Sequence, residues 1–348
     1  MQCRPFTPSG LAPRRSLPAR PGPLVARGAA AGAPPAQACA STKHALPDGH
    51  KLEVLVQKAM ASAQPPRPPL LFVHGSYHAA WCWQENFMPY FASRGYDTYA
   101  VSLRAQGGSD PAPPGQGVAG TLDVHAADLA SLVAAMGDGG GGGGAGGRAP
   151  VVVGHSFGGL ILQKYVLGAA APGAPASAPT ARAAAAGSFP PLSGAAFLCS
   201  VPPSGNKQMI TRFLFRDPIA SAKLTWGFIA RSFATSTQAC RELFFSPDIP
   251  ADKLQRYQQL LAAASPTRLL DLKDMSAQVP LPPPPPHAPP AFVLGGADDT
   301  VVDVEALREL AKYYGTEPVV LDRMAHDCML DTRWEVAARE LESWLDGL

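Results

Sequence analysis

Ser156 lies at the centre of a Gly-His-Ser-Phe-Gly pentapeptide whose residue types and spacing could make a serine nucleophilic. A β-branched run at 151–153 precedes the pentapeptide, and an apolar, helix-like run at 160–166 follows it. A sharp turn from a strand into a helix can hold a serine in a strained conformation that exposes its hydroxyl. Such a turn has no room for a bulky Cβ two residues before or after the serine, a requirement that Gly154 and Gly158 meet. The segment therefore predicts a nucleophile elbow.

A serine hydroxyl is a poor nucleophile at neutral pH, so Ser156 needs a base and a carboxylate that orients that base. His326 is the candidate base because it follows the last predicted strand, and catalytic groups gather at the carboxyl ends of strands in open sheets. Two adjacent acids, Asp298 and Asp299, follow the preceding strand. Their side chains should diverge, so that one of them faces the histidine. We favour Asp298, which lies nearer the strand end, with Asp299 as the alternative acid.

The elements that must position these residues alternate between short apolar strands and helical segments. A hairpin over 43–59 opens the series, and a helix is expected over 121–136. Further strands are expected at 70–73, 96–101, 151–153, 194–198, 291–294 and 318–321. This alternation predicts an α/β fold with a mostly parallel central sheet covered by helices on both faces. The last helix should begin near Asp331, where Thr332 and Glu335 have the spacing of a capping box.

The elbow and the order serine, aspartate, histidine together resemble the α/β-hydrolase superfamily. The resemblance covers roughly residues 43–202 and 291–348. It implies that the Phe-Val-His-Gly-Ser-Tyr segment at 72–77 supplies one backbone N–H of an oxyanion hole. The candidate donors are the amides of Phe157 and Ser76, with Tyr77 as the fallback for the second. It implies no cofactor and no metal.

Two further segments also resemble members of this superfamily. Residues 103–109 look like the Arg-Gly-x-Gly-x-Ser loop of many such hydrolases, with Arg104 in a structural role. Residues 75–83 are similar to the plant methylesterase and hydroxynitrile lyase branch.

Two alternative functions stay open. His326 and Asp331 also form the His-x-x-x-x-Asp pattern of some lipid acyltransferases. A small-molecule receptor on the same fold is the other alternative to an esterase or lipase-like serine hydrolase.

The region between the two core segments changes from strands to helical patterns, which predicts an inserted cap. The expected organisation is a leader at 1–40, core at 41–202, a helical cap with a proline-rich loop at 203–290, and core at 291–348. The cap is rich in aromatic residues and has no evident basic cluster. A concave apolar site above the serine would suit a neutral acyl or aromatic ester.

Composition excludes several other classes of protein. The net charge of +2 argues against a nucleic-acid partner, and no 18-residue apolar run could span a membrane. The six cysteines are scattered without a Cys-x-x-Cys pair, which argues against a zinc site or a disulfide framework. Residues 1–40 carry five arginines and no acid. This pattern predicts an organelle transit peptide, with chloroplast favoured over mitochondrion because prolines interrupt any amphipathic helix.

Overall fold

The computed structural model describes residues 39–60, 66–137, 148–170 and 189–348. All but the last two residues of the expected leader lie outside these ranges, so the transit peptide and its destination stay predictions. Five cysteines fall within the described ranges, and all five are free thiols.

Eight strands form one mixed sheet in the order β1-β2-β4-β3-β6-β7-β9-β10. The first two strands and the β2–β4 pair are antiparallel, and all later pairs are parallel. A second, two-stranded sheet joins β5 and β8. The bounds are β1 Ala40–Ala45, β2 Lys51–Gln57, β3 Leu70–Val73, β4 Thr98–Val101, β5 Val118–Gly120, β6 Val151–His155, β7 Gly194–Leu198, β8 Arg268–Leu270, β9 Ala291–Gly296 and β10 Pro318–Leu321. The predicted fold class is confirmed.

Helices cover both faces of the large sheet, and strand residues alternate between the two apolar cores that result. Leu71 and Val73 of β3 pack into one core, whereas Leu70 and Phe72 pack into the other. The helices are α1 Trp81–Gln84, α2 Phe87–Ala92, α3 Leu122–Gly137, α4 Phe157–Gly168, α5 Lys207–Arg216, α6 Pro218–Ile229, α7 Thr237–Phe244, α8 Ala251–Ala262, α9 Leu272–Gln278, α10 Val304–Tyr314 and α11 Trp334–Leu345. A strand buried on both faces has to be apolar throughout, which explains the unbroken Leu-Leu-Phe-Val run.

The segment inserted between β7 and β9 is built from α5 to α9, as expected for a cap. It also contains β8, a three-residue strand that pairs with β5, so the prediction of helices without strands was wrong there. The short length of β8 leaves too little periodicity to reveal a strand in the sequence. Among the described residues, no helix is both long and apolar enough to cross a membrane.

The start of the last helix also differs from the prediction. Helix α11 begins at Trp334 with Arg333 at its N-cap, and no side chain caps it. Asp331 lies before the helix and is fully buried. Its carboxylate accepts hydrogen bonds from the N–H of Ala325 (2.9 Å) and the hydroxyl of Ser246 (2.7 Å). Asp331 therefore ties the loop after β10 to the segment that follows α7, and the predicted capping box does not form.

Candidate active site

Ser156 forms the turn between β6 and α4, with φ of 55° and ψ of −123°. A positive φ is unfavourable for a residue with a Cβ, so the surrounding structure must hold it. A Cβ on Gly154 would lie 2.7 Å from the Cα of Gly159. A Cβ on Gly158 would lie 2.5 Å from the backbone oxygen of the residue after β3. Both glycines are therefore required at the positions that the pentapeptide predicts.

The acid beside His326 is Asp299, and the preference for Asp298 was wrong. The Nδ1–H of His326 donates to Asp299 Oδ2 over 2.9 Å. The other oxygen of Asp299 accepts from the N–H groups of Val301 (2.7 Å) and Val302 (2.9 Å), which fixes the carboxylate. Asp298 is exposed, and its N–H donates to a carbonyl of the loop after β10. That backbone bond turns its side chain outward, an orientation that spacing from the strand end does not reveal.

The environment of His326 suits a base that must accept a proton. Burial lowers the pKa of His326, but the charge of Asp299, its hydrogen bond and the nearby charge of Asp327 outweigh burial, so the pKa is raised. Because Nδ1 carries the proton that bonds Asp299, Nε2 is the nitrogen with the lone pair in the neutral ring.

His155, which precedes Ser156, holds His326 beside the elbow. The rings of His155 and His326 lie 4.7 Å apart, and Nε2 of His155 is 3.0 Å from the His326 carbonyl oxygen. Burial lowers the pKa of His155 well below its ordinary value, so this ring is neutral. Among the described residues, no hydrogen bond joins Ser156 to His326. Such bonds are often long in enzymes without substrate and tighten in the reacting complex.

The loop after β3 approaches Ser156 too closely to admit a side chain at Gly75. A Cβ on Gly75 would lie 2.6 Å from Ser156 Cβ and 3.2 Å from its Oγ. The N–H of Ser76 follows directly, and the N–H of Phe157 begins α4. The described residues offer neither N–H an acceptor. Two backbone donors beside the serine hydroxyl are what an oxyanion hole needs.

Two histidines beside the site have structural roles. His74 donates from Nδ1 to the Gly75 carbonyl (2.7 Å), and its Nε2 accepts from the N–H of Leu103 (3.0 Å). Burial lowers the pKa of His74 to about 3, so the ring stays neutral and braces the loop. His78, four residues later, contacts the carboxylate of Asp327 at 2.8 Å. Sequence reasoning missed this second pair, although the adjacent acid in the His-Asp segment at 326–327 was a usable signal.

Aromatic side chains of the cap close the site from above. The ring of Phe244 lies 6.4 Å from that of His326 and 5.4 Å from that of Phe233. The hydroxyl of Tyr77 donates to the carbonyl of Phe228 (2.9 Å), which joins the loop after β3 to α6. The surroundings of the reacting groups are therefore apolar, as expected from the cap sequence.

Arg104 has the structural role that its loop predicts. Its guanidinium pairs with Asp128 of α3 and with Asp48 of the β1–β2 turn (2.7 Å to the latter). These two carboxylates outweigh burial and raise the pKa of Arg104. These contacts anchor the loop after β4 to α3 and to the β1–β2 turn.

One group of described side chains could in principle hold a metal ion. His155, Cys199 and His326 each offer a ligand atom, and these atoms lie within 4.8 Å of one another. Both histidines already hold hydrogen bonds, to the His326 carbonyl and to Asp299 respectively. A hydrogen bond with Cys328 and burial raise the pKa of the Cys199 thiol, which disfavours the thiolate that a metal ion needs as a ligand.

Comparison with known proteins agrees with this fold. The sequence model of the Alpha/beta hydrolase family matches residues 70–340. Curated proteins give no significant match.

Solved structures share the fold at low sequence identity. An esterase (EaEST) from Exiguobacterium antarcticum has a TM-score of 0.59 at 16% identity, covering 88% of this chain and 100% of its own. The esterase RhEst1 from a Rhodococcus species has a TM-score of 0.55 at 18% identity, covering 90% and 100%. Est816, described as an N-acyl homoserine lactone degrading enzyme, has a TM-score of 0.53 at 18% identity, covering 86% and 99%.

Proposed function

Because the chain belongs to the alpha/beta hydrolase family, we propose that it is a serine hydrolase that cleaves a carboxylic ester through an acyl-enzyme. The observation that carries the proposal is the pairing of His326 with Asp299 beside a serine held at positive φ. Asp331, the acid of the acyltransferase-like pattern, is committed to Ala325 and Ser246. That commitment removes the support for acyl transfer.

In the proposed reaction, Nε2 of His326 takes the proton of Ser156 as Oγ attacks the ester carbonyl carbon. The carbonyl oxygen becomes an oxyanion, and the N–H groups of Ser76 and Phe157 hold it. When the C–O bond to the alcohol breaks, protonated His326 returns the proton to the leaving oxygen. Water then attacks the acyl-enzyme in the same manner and restores Ser156. Asp299 stabilises the imidazolium in both halves of the reaction.

The substrate proposed is a neutral ester with an apolar acyl or aromatic group. Support comes from the rings of Tyr77, Phe233 and Phe244, which pack against one another where the cap meets the loop after β3. A charged acyl group would lose hydration there without gaining a partner. The relatives described as esterases support an ester, and the one described as degrading a lactone, a cyclic ester, is consistent with that chemistry.

The test is covalent labelling combined with turnover. A fluorophosphonate probe should label the full-length protein, and Ser156→Ala should lose the label and at least ~10⁴-fold of kcat on short-chain p-nitrophenyl esters. Ser193→Ala is the matched control, because the Ser193 hydroxyl donates to Ala149 at the opposite edge of the sheet. That variant should keep both label and activity.

Measurements on esters of different acyl chain length distinguish a serine hydrolase from the two other outcomes. Ester turnover that persists in Ser156→Ala would overturn the proposal. Tight retention of an ester with no turnover by the native protein would favour a receptor in its place.

A further inference from the structure

A second imidazole–carboxylate pair lies next to the proposed triad. His78 belongs to the loop after β3, two residues beyond Ser76, and Asp327 directly follows His326. Their Nε2 and Oδ2 atoms are 2.8 Å apart, and their side chains are 1% and 0% exposed. The two residues are 249 positions apart in the sequence, so only the fold brings them together.

Each ring nitrogen of His78 faces an oxygen that accepts hydrogen bonds. Nδ1 lies 2.9 Å from the carbonyl oxygen of Ser76, and Nε2 lies 2.8 Å from Asp327. A neutral imidazole has only one N–H and can satisfy only one of these oxygens. Both bonds form when the pair holds one proton more than a neutral imidazole and a carboxylate, with that proton on His78 or on the carboxyl group of Asp327. Either arrangement links Ser76 to Asp327 through His78.

Aromatic rings shield this pair from water. The ring of Trp81 stacks on His78 at 5.7 Å, and those of Phe244 and His155 meet it edge-on at 5.6 and 5.8 Å. In surroundings of low polarity a hydrogen bond is strong, and the loss of either partner leaves a buried polar group unsatisfied.

The backbone on either side of the pair belongs to the reacting centre. His78 holds the carbonyl of Ser76, the residue whose N–H is a proposed oxyanion donor. The N–H of Asp327 donates to the Phe244 carbonyl of the cap (2.9 Å), and its carbonyl accepts from the N–H of Leu330 (2.8 Å). The His326 loop is thereby anchored through Asp327.

We propose that His78 and Asp327 are positioning residues that clamp the loop of the oxyanion donor to the loop of the catalytic base. The inference rests on the proposed function, because the clamp matters only if both loops act on one tetrahedral intermediate. Its effect belongs to kcat, since it holds donor and base without touching the ground-state ester. A misplacement of about 1 Å at a reacting centre can lower the rate by about 10²-fold.

Kinetics of the full-length protein on a short-chain p-nitrophenyl ester test the clamp. Asp327→Ala and His78→Ala should each lower kcat by about 10²-fold and leave KM within about threefold. The double variant should be no slower than either single variant, because each single substitution already removes the whole His78–Asp327 interaction. Asp327→Asn can donate its amide N–H to a neutral His78 while that ring bonds Ser76, so it should recover most of kcat.

Asp128→Ala is the matched control, because it breaks another largely buried ion pair, with Arg104, and neither residue belongs to the loop of Ser76 or to the loop of His326. It should lower the melting temperature with little change in kcat. If the alanine variants at 78 and 327 lower kcat no more than this control does, the clamp is wrong.

A spectroscopic readout keeps the inference testable if an alanine variant fails to fold. In Ser156→Ala protein labelled with ¹⁵N at histidine, the ring signals of His78, assigned by their loss in His78→Gln, should include an N–H protected from exchange with solvent, and Asp327→Asn should shift them. A His78 ring whose N–H exchanges freely, or whose signals Asp327→Asn leaves in place, would overturn the inference even if Ser156 proves to be the nucleophile. Turnover independent of Ser156, by contrast, would refute the proposed function and the clamp's role in it, and the His78–Asp327 contact would then be structural only.

Discussion

The carboxyl edge of the sheet and the outer face of the cap differ in burial: the side chains of the site are buried, whereas large apolar side chains on the cap are exposed. At the sheet edge, Ser156, Asp299 and His326 are buried and lie in the turn and loops that follow β6, β9 and β10. On the cap, the outer faces of α5 and α6 leave large apolar side chains in solvent, namely Ile210, Leu214, Phe215, Ile219, Trp226 and Ile229. The sheet edge therefore holds the site residues in fixed positions. The cap covers the site and also carries apolar side chains on its outer face.

The largest expected effect comes from changing the two adjacent acids at the sheet edge. Asp299→Asn should lower kcat by about 10⁴-fold, because an amide cannot hold the correct tautomer of His326 or stabilise its charged form. Asp298→Asn should stay within about twofold, since Asp298 is exposed. Initial rates on one ester for both purified variants check this. Equal losses would mean that the sheet edge is less specific than its hydrogen bonds indicate.

The pH dependence of kcat/KM in the native protein and in both variants tests the role of Asp299 further. Because Asp299 helps to raise the pKa of His326, the acid limb of kcat/KM in the native protein should lie above the ordinary histidine value of about 6.5. Activity falls as the pH drops through this limb, since protonated His326 cannot act as a base. Asp299→Asn should move the limb of its residual activity to lower pH, and Asp298→Asn should leave it in place.

The inner side of the cap should behave like the sheet edge. Phe233 is fully buried between Tyr77 and Phe244, with ring centroids 4.8 and 5.4 Å away. Phe233→Ala removes this packing and should cost about 3–5 kcal/mol of unfolding free energy. Urea denaturation followed by tryptophan fluorescence measures the loss. A cost below about 1 kcal/mol would show that the cap is too loosely packed to shape an acyl site.

The same contrast explains what the sequence could predict. The strands β3, β7 and β10 and the elbow at Ser156 have local signals, because apolar runs and glycine spacing are imposed by neighbours in the chain. The choice between Asp298 and Asp299 depends on a backbone bond from Asp298 to the loop after β10, which no local pattern encodes.

The pair of His78 and Asp327 also escaped prediction, because it joins two loops that only the complete sheet brings together. In the cap, amphipathic periodicity predicts helices but does not show which apolar face meets the core.

The outer face of the cap gives the smallest expected effect. Phe215 is 85% exposed, so Phe215→Ser removes little buried apolar area. The unfolding free energy should change by no more than about 0.5 kcal/mol, and kcat/KM should stay unchanged. Denaturation and ester turnover, measured beside Phe233→Ala, give the direct contrast between the two sides of one cap. A loss above about 1 kcal/mol at Phe215 would mean that this ring is covered in the folded protein, and the cap would then be packed on both sides as tightly as the sheet edge.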